Sequence, residues 1–583
     1  MNTRTIFSFS AALCATVGVE AVAQGVDNRP NILLLLADDM GYSELGCYGQ
    51  QLIETPNLDR LAGSGVQFMD FHAGNAVSSP SRAVLMTGIP SGFNTIRGNA
   101  GKNFEGGGTR VPLKKSDVTM AEMLKGSGYQ TAFVGKWHLD SPDDLSTWAF
   151  ARGFDFASQE QWADKNSTRK FTEGMEYING LQDSIWYDNR KWNCKDEFRT
   201  NIAFDYLDTQ LDRDKPFFLF MSYRAPHAHE WYINNKELYA DRGWPESERM
   251  HAAKITLLDL QIGRLLDKLE AMGELENTLI IFTSDNGPQN EGHDYDFFKS
   301  NGELKGYKRD TFEGGHRVPC IISWRGVVEE GIISDYICGG QDIMVTVADA
   351  AGVQAPPQVQ GLSILPSLEE GGGAPEREAL YWELMDSAFS RQAVRMGRWK
   401  ADRYGVESPI RLYDLSTDIG ETNDISAEHP EVMAKITPLF ESMREDNKYY
   451  PRYQEDILKK FLMAKSPRAE ILADDPKIST GADYVKVKLR VTPSNAPERE
   501  SYLIRSILFE ANGLEIIRQS DAVMLDPTKK SFSYMQMVDV ENLKPDVEYY
   551  VRCEVVRSEE VDDVTRGNII DAVVVPFNFF QKK

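Results

Sequence analysis

Four continuous apolar runs, each followed by polar residues, dominate the first half of the chain. They cover residues 31–37, 131–134, 217–223 and 279–283. A run of this kind is typical of a strand that is buried on both faces of a parallel sheet. Between the runs lie segments with helical spacing, the clearest of them at residues 252–272. Strands that alternate with helices predict an α/β domain.

The polar residues that follow the four runs are the first candidates for function. They are Asp38 and Asp39 after the first run, Lys136 and His138 after the second, His227 after the third, and Asp285 and Asn286 after the fourth. In open α/β sheets, ligands bind outside the carboxyl ends of the strands. The pattern therefore predicts one shared pocket at one edge of the sheet.

The pattern changes twice in the second half of the chain. A glycine-rich loop near residue 371 leads into short strands and turns and then into a charged helical stretch, which together predict a smaller α+β subdomain. From about residue 476, strand-like segments follow one another without a helix-length pattern between them. Residues 543–552 resemble the tyrosine-corner stretch of fibronectin type III domains, which are β-sandwiches.

These observations divide the chain into a signal peptide, a catalytic domain, a smaller subdomain with a helical linker, and a fibronectin-III or immunoglobulin-like β-sandwich. The four parts are expected at residues 1–24, 25–370, 371–475 and 476–583. The signal is indicated by Arg4, an apolar stretch, and the small-x-small pattern Ala21-Val22-Ala23 that precedes signal peptidase cleavage. We therefore expect an exported protein.

Charge and composition narrow the choice of partners. The formal net charge is -24, and nucleic-acid backbones are bound by basic surfaces, so nucleic acid is not expected as a partner. An anionic substrate would need a local basic pocket. After the signal, no segment has the roughly 20 consecutive apolar residues of a membrane span. The cysteines outside the signal are widely scattered, and we expect no cysteine chemistry.

One segment combines a predicted helix start with a fixed positive charge. Residues 78–88 read Ser-Ser-Pro-Ser-Arg-Ala-Val-Leu-Met-Thr-Gly, with serines as cap candidates and a proline in the first turn. A helix start presents unpaired N–H groups to an anion, and Arg82 adds its charge there. The segment resembles the sulfatase signature, (Cys or Ser)-x-Pro-Ser-Arg followed by Thr-Gly. In that family the signature marks the residue oxidised to Cα-formylglycine, here Ser78.

A second segment carries the same resemblance. Residues 128–139, from Gly-Tyr-Gln-Thr to Lys-Trp-His-Leu, look like the second sulfatase signature and depart from it only at Asp140, where glycine is common. The resemblance extends over roughly residues 29–420. It implies a sulfuric ester hydrolase with the alkaline-phosphatase-like sulfatase fold: a large mixed, mostly parallel sheet flanked by helices, followed by the smaller α+β subdomain.

The resemblance to sulfatases implies a function for the acidic residues at the strand ends. Alone, an Asp-Asp or Asp-Asn-Gly sequence is more often a turn or a helix cap. The sulfatase family uses the positions of Asp38, Asp39, Asp285 and Asn286 as metal ligands, together with an oxygen of the modified Ser78. Hard oxygen ligands suit Ca²⁺, which is favoured here over Mg²⁺.

The resemblance also implies roles for the residues around the modified serine. Lys136 and His138 are expected near formylglycine and sulfate, and His227 and Lys305 at the remaining sulfate-binding and leaving-group positions. One hydroxyl of the aldehyde hydrate then attacks sulfur while His227 or Lys305 protonates the leaving alcohol. The second hydroxyl loses its proton, in this hypothesis to His138, and sulfate is expelled.

For several neighbouring residues, the sequence leaves two interpretations open. Lys305 opens a stretch that continues to Glu-Gly-Gly at 313–315, which is characteristic of bacterial sulfatases, whereas the roles of Lys308 and Arg309 stay open. His229 is either a substrate contact or a surface histidine. The acidic loop that contains His293, Asp294 and Asp296 is interpreted as solvated rather than as a sugar contact.

Serine at the modified position resembles the subset of sulfatases that anaerobic bacterial maturation enzymes modify before export, which implies a periplasmic location, with secretion or surface association left open. Export, aromatic residues suited to sugars and the bacterial signatures predict a sulfated oligosaccharide or polysaccharide as substrate. Two alternatives remain: a phosphodiesterase or phosphonate hydrolase of the same superfamily, and a catalytically inactive glycan-binding relative.

Overall fold

The computed structural model describes most of the chain outside its N-terminal segment. The described residues are 27–101, 110–161, 173–228, 234–368, 373–386, 389–406, 408–450, 472–480, 484–492, 500–510, 515–525, 528, 532–539, 548–557 and 569–578. The expected signal peptide at residues 1–24 lies outside them. Within these ranges no helix is both long enough and apolar enough to cross a membrane.

A ten-stranded mixed sheet lies at the centre of the larger part of the molecule. The first twelve strands of the described residues are β1 (Asn31–Asp38), β2 (Val66–Phe68), β3 (Phe71–His72), β4 (Gln130–Lys136), β5 (Phe156–Glu160), β6 (Glu173–Ile178), β7 (Asp183–Asp188), β8 (Phe217–Pro226), β9 (Thr278–Ser284), β10 (Cys320–Ser323), β11 (Ile332–Ser334) and β12 (Cys338–Gly339). Ten of them form this sheet, whereas β3 and β12 pair with each other. The order is β11-β2-β10-β9-β1-β8-β4-β5-β6-β7. The five central strands β9, β1, β8, β4 and β5 run parallel.

Helices cover both faces of this sheet. The helices of the described residues are α1 (Pro56–Gly63), α2 (Ser78–Thr87), α3 (Met120–Gly126), α4 (Lys195–Thr209), α5 (Glu246–Met272), α6 (Glu313–His316), α7 (Gly340–Ala350), α8 (Pro430–Ile436) and α9 (Leu439–Ser442), of which α8 and α9 pack on a smaller sheet instead. Leu34 and Leu36 of β1 pack with α2, α3 and α7, whereas Leu33 and Leu35 pack with α1, α4 and α5. Every residue of β1 is buried, as the unbroken apolar run predicts.

The parallel arrangement brings four polar strand ends to one edge of the sheet. These strands are neighbours in the order β9-β1-β8-β4, and they run parallel toward the same edge of the sheet. Gly135 near the end of β4 has φ 125°, and a Cβ there would lie 1.9 Å from the carbonyl oxygen of Ser222 in β8. Only glycine allows this close approach, which sets the position of the residues that follow in β4.

A smaller sheet follows the catalytic sheet in the chain. Its antiparallel strands are β13 (Leu380–Asp386), β14 (Phe389–Met396), β15 (Trp399–Tyr404) and β16 (Arg411–Asp414), and α8 and α9 pack on it. Glu383 of β13 joins this sheet to the larger part of the molecule, since its Oε1 lies 2.8 Å from Nη1 of Arg97. Arg444 donates to the other oxygen over 2.7 Å. Both Arg97 and Glu383 have fully buried side chains.

Replacing Glu383 with glutamine is expected to lower the free energy of unfolding by about 3–5 kcal/mol, because it leaves a buried arginine without its carboxylate. Calorimetry measures the change as a lower Tm. Glu276→Gln is the control, because Glu276 pairs with Arg325 but is 72% exposed, and an exposed pair contributes at most about 1 kcal/mol. Equal Tm values for the two variants would contradict this prediction.

The C-terminal strands form two further antiparallel sheets. The strands are β17 (Leu472–Thr480), β18 (Tyr484–Thr492), β19 (Glu500–Glu510), β20 (Glu515–Leu525), β21 (Phe532–Asp539), β22 (Glu548–Arg557) and β23 (Ile569–Asn578). One sheet has the order β17-β18-β21 and the other β20-β19-β22-β23. The predicted fold class, a large mixed sheet with helices, a smaller α+β part and a C-terminal pair of antiparallel sheets, is confirmed.

Candidate active site

The acidic residues at two strand ends meet in one buried cluster. Asp38 ends β1 and Asp39 follows it, while Asp285 and Asn286 come directly after β9. The backbone N–H of Asp39 donates to Asp285 Oδ1 over 3.1 Å, and Asn286 Nδ2 donates to Asp39 Oδ1 over 2.7 Å. Each of the four is at most 1% exposed. Four oxygen-bearing side chains therefore share a space shielded from solvent.

Ser78 is the first residue of α2 and faces this cluster. Its Oγ lies 3.4 Å from Asp38 Oδ1 and 3.4 Å from Asn286 Oδ1. Lys136 Nζ donates to the same oxygen over 3.2 Å. Because Ser78 begins the helix, the positive end of the helix dipole stabilises negative charge at this oxygen. The serine thus lies between a carboxylate cluster and a cation, with a helix start behind it.

Two cations hold the carboxylates in place. Arg82, one turn into α2, donates from Nε to Asp285 Oδ2 over 2.8 Å. Its Nη1 donates to the carbonyl of Lys136 over 2.7 Å and to Ser222 Oγ over 2.6 Å, so it also joins β4 to β8. Lys136 Nζ lies 2.9 Å from both oxygens of Asp38. Helix α2 and the ends of β1, β4, β8 and β9 are therefore held together by these ion pairs and hydrogen bonds.

The carboxylates differ in how well their charges are compensated. Burial by itself raises the pKa of Asp38, but the surrounding cations, led by Lys136, outweigh burial and hold that pKa well below its usual range. Burial and the like charges of Asp38 and Asp285 raise the pKa of Asp39 to about 7, although Lys308 acts in the opposite direction. The charge of Asp39 is therefore less well compensated than that of Asp38.

His138 lies just beyond the end of β4, and its imidazole is held uncharged. Burial, followed by the positive charges of Arg110, Lys136 and Arg82, holds its pKa well below its usual range. Its backbone has φ 60°, which is rare for a residue other than glycine, and its carbonyl accepts a hydrogen bond from Ser79 Oγ over 3.0 Å. The imidazole is therefore uncharged, and its lowered pKa makes it a weak base in these surroundings.

His227, at the end of β8, contacts the other side of the carboxylate cluster. Its Nε2 lies 3.5 Å from Asp39 Oδ2 and 3.5 Å from Lys308 Nζ. Lys308 Nζ in turn donates to Asp39 Oδ2 over 3.1 Å. All three side chains are at most 2% exposed. A histidine and a lysine thus face the cluster together.

The structure places Lys305 outside the carboxylate cluster, contrary to its expected position at the active site. Its Nζ donates to the backbone carbonyl of Glu421 over 2.9 Å and lies 4.1 Å from the centre of the Phe312 ring. These contacts fix it against the region that follows the smaller sheet. The lysine of this loop that reaches Asp39 is Lys308, whose role the sequence left open.

The shape of the loop explains why Lys308, and not Lys305, reaches the carboxylate cluster. Gly306 has φ 82° and turns the chain directly after Lys305. Its carbonyl accepts a hydrogen bond from Asn301 Nδ2 over 2.7 Å, and the backbone N–H of Lys308 donates to the carbonyl of Pro288 over 2.8 Å. The loop therefore points Lys308 inward, an outcome that depends on contacts distant in sequence.

Sequence reasoning also missed Arg224. Its Nη1 lies 3.6 Å from Asp38 Oδ2 and 3.8 Å from Glu160 Oε1, and its side chain is 2% exposed. The available signal was its position, because a charged residue two places before the end of an otherwise apolar buried strand must face a polar site. With Lys136, Arg82 and Lys308 it makes the site locally basic, although the whole chain is strongly acidic.

Two family models match this chain. The model described as Sulfatase matches residues 30–353, and the model described as N-sulphoglucosamine sulphohydrolase, C-terminal, matches residues 302–447. The chain belongs to the sulfatase family. This sulfatase is therefore a sulfuric ester hydrolase, which speaks against the alternative of a phosphodiesterase or phosphonate hydrolase.

Individual relatives agree with the family match. The sulfatase is 28% identical over 491 residues to N-acetylgalactosamine-6-sulfatase of Mus musculus, with 79% of this chain and 90% of that protein covered. It is 30% identical over 494 residues to an arylsulfatase of Hemicentrotus pulcherrimus, with 71% and 83% covered. Among solved structures it resembles Ps i-CgsB in complex with k-i-k-neocarrahexaose, with TM-score 0.62, 25% identity, and 74% and 97% covered.

Proposed function

We propose that this sulfatase removes sulfate from a sulfated carbohydrate and that Ser78 is the source of its nucleophile. The observation that carries this proposal is the position of Ser78 Oγ at the start of α2, 3.4 Å from Asp38 and Asn286 and 3.2 Å from Lys136. A carbohydrate substrate is supported by the relatives, since one is named for a sulfated amino sugar and another is in complex with an oligosaccharide.

Capture of the sulfate group is assigned to the buried cations. Lys136 and Lys308 approach the carboxylate cluster from two sides, and Arg224 lies 3.6 Å from Asp38. In a buried site these charges act at a lower effective dielectric than at the surface, so they attract an anion strongly. The locally basic pocket explains how an acidic protein binds an anionic substrate.

We further propose that Ser78 is oxidised to Cα-formylglycine by an anaerobic maturation enzyme before export. A hydrated aldehyde supplies two hydroxyls, one to attack sulfur and one to release the sulfate afterwards, whereas serine has only one. Lys136 Nζ, 3.2 Å from Ser78 Oγ, orients the attacking oxygen. We assign acceptance of the second hydroxyl's proton to His138, whose imidazole is uncharged, and protonation of the leaving alcohol to His227 with Lys308.

The carboxylate cluster fits a divalent metal ion. Asp38, Asp39, Asp285 and Asn286 offer hard oxygen ligands, and the pKa of Asp39 is raised to about 7 in the absence of an added positive charge. We propose Ca²⁺ as the ion, which prefers six to eight oxygen ligands. When bound, it would supply a positive charge that lowers the proton affinity of the oxygen at position 78.

Removing divalent metal is expected to abolish sulfate release and to lower the Tm. A ligand present at about one hundred times its Kd stabilises the folded state by roughly 3 kcal/mol, and this contribution is lost after chelation. Activity and Tm are measured after dialysis against a chelator and again after addition of Ca²⁺ or Mg²⁺. We expect Ca²⁺ to restore both. Unchanged activity and Tm after chelation would contradict the metal proposal.

The proposal also includes the domain boundaries of the chain and the cellular location of the protein. We propose a signal peptide at residues 1–24, a catalytic domain at 25–370, a smaller subdomain at 371–475 and an accessory β-sandwich at 476–583. Export to the periplasm follows from the signal pattern and from the serine type of the modified residue. Supporting observations are the four-stranded sheet that follows residue 371 and the two antiparallel sheets that begin with β17 at Leu472, four residues before the proposed start of the β-sandwich.

Sulfate release from a panel of sulfated sugars tests the proposed function. Free sulfate is measured by ion chromatography after incubation with sulfated monosaccharides, oligosaccharides and polysaccharides. We expect release from at least one class of sugar and none from phosphodiesters or phosphonate monoesters. Binding of sulfated sugars without any release would instead favour an inactive glycan-binding protein.

A further inference from the structure

A tight turn carries Lys308 to the carboxylate cluster. The backbone N–H of Asp310 donates to the carbonyl of Tyr307 over 2.9 Å, so Lys308 and Arg309 are the two central residues of this turn. Arg309 has φ 78°, which lies in the left-handed region that residues other than glycine rarely adopt. The residue next to Lys308 is therefore held in a conformation that its own side chain disfavours.

Contacts on several sides hold Arg309 in this conformation. Its backbone N–H donates to the carbonyl of Ala76, two residues before Ser78, over 2.7 Å. Its Nη1 donates to Glu291 Oε1 over 2.6 Å. Its carbonyl accepts a hydrogen bond from Nη1 of Arg391. A strained backbone persists only where the surrounding structure over-determines it, so we attribute the shape of the turn to these contacts.

Arg391 lies on β14 of the smaller sheet and reaches across to the turn. The same Nη1 that donates to the Arg309 carbonyl also donates to Asp310 Oδ1 over 2.9 Å. The Arg391 guanidinium lies 4.9 Å from the centre of the Tyr404 ring, and its side chain is only 12% exposed. One nitrogen therefore bonds both the strained residue of the turn and the residue that closes the turn.

The backbone connects these contacts to the position of Lys308. Its Cα lies one residue before the strained position, and its Nζ donates to Asp39 Oδ2 over 3.1 Å. If Arg309 left the left-handed region, the chain that follows Lys308 would change direction, and the lysine Nζ would move away from the cluster. A misplacement of about 1 Å in an active site costs roughly 10²-fold in rate.

We propose that Arg391 is a positioning residue of the active site, which acts on catalysis by holding the turn that presents Lys308. The inference rests on the role of Lys308 in the proposed function and extends that site to the smaller subdomain. The residue that fixes the turn then lies 82 positions beyond Arg309 in the chain. Positioning of this kind requires no contact between Arg391 and the substrate.

A double-mutant cycle tests this positioning role. Arg391→Met removes the donor, and its effect on kcat/KM is measured in the wild type and in Lys308→Met. We expect a loss of roughly 10–100-fold in the wild type. In Lys308→Met the same change should cost less than about three-fold, because the group that it positions is already absent. Asp310→Ala breaks the contact from the side of the turn and should show the same dependence, so the test does not rest on one variant.

Two further variants are the controls. Arg391→Lys keeps a cation that can donate to both acceptors, since one nitrogen makes both contacts, and should stay within about three-fold of wild type. Arg411→Met removes a neighbouring arginine on β16, whose guanidinium lies 5.3 Å from the same Tyr404 ring but which pairs with the buried Asp402. We expect this variant to have a lower Tm with kcat/KM close to wild type.

The outcomes separate positioning from a general effect on the fold. Equal losses from Arg391→Met in both backgrounds would overturn a role through Lys308. A kcat/KM for Arg391→Met close to wild type, or an equal loss in Arg411→Met, would also overturn it. None of these results contradicts the proposed function itself, which would be overturned if the wild type released no sulfate from any sugar.

Discussion

Replacing Ser78 with alanine is expected to lower kcat by roughly 10⁴-fold or more, which is the scale of losing a catalytic nucleophile. The alanine has no oxygen to oxidise or to attack sulfur, whereas the cations and carboxylates around it remain. The effect is measured as sulfate release from the best sugar of the panel. Retention of a tenth of the wild-type rate would contradict a role for Ser78 as nucleophile.

Ser79→Ala is the matched control for this experiment. Ser79 is the next residue of α2, equally buried, and its Oγ donates to the carbonyl of His138 rather than toward Asp38. We expect its removal to lower kcat by at most about ten-fold, since one neutral hydrogen bond is lost. Similar Tm values for the two variants would establish that the difference arises in the chemistry and not in folding.

The second large effect is expected from Lys308→Met, with a loss of about 10²–10³-fold in kcat/KM, the usual scale for removing one charge-stabilising group from a buried site. Lys308 Nζ contacts Asp39 and His227. Lys305→Met, three residues away, is the control. Because Lys305 contacts Glu421 and Phe312 instead, its loss should leave kcat/KM within about three-fold of wild type.

The pair of lysine variants separates two interpretations of the same loop. The sequence alone favoured Lys305 as the active-site lysine, and the structure favours Lys308. A large loss in Lys305→Met with a small loss in Lys308→Met would restore the earlier interpretation. Equal losses would indicate that the loop acts as a unit and that neither lysine has a specific contact with the substrate.

The fold was predictable wherever one element carried a complete signal. The run at residues 31–37 needed no partner to be recognised as a buried strand, and its neighbours β4, β8 and β9 followed the same rule. The hairpin of β6 and β7 was not predicted, because β7 is the edge strand and is largely exposed, so the pair lacks a continuous apolar run. Their pairing depends on the sheet that they extend rather than on their own pattern.

The residues of the candidate site were likewise predictable where the local sequence carried the signal, and not where their positions depend on distant contacts. Ser78, Arg82 and the strand-end carboxylates were found because each lies within or directly beside a signature or an apolar run. Lys308 was not, because its direction depends on the turn at Gly306 and on a hydrogen bond to Pro288. The loop with His293, Asp294 and Asp296 was predicted to be solvated, and Asp294 and Asp296 are exposed. The His293 side chain is instead buried by stacking on His251 of α5, more than forty positions away in the sequence.

The central claim is that Ser78 is converted to the catalytic group, and the mass of the peptide that contains Ser78 tests it most directly. The sulfatase is purified from its native host, or after production with an anaerobic maturation enzyme, and its sulfate release is verified before digestion. We predict a peptide that has lost two hydrogen atoms, as expected for oxidation of serine to formylglycine. An unmodified serine in a preparation that releases sulfate would contradict the account.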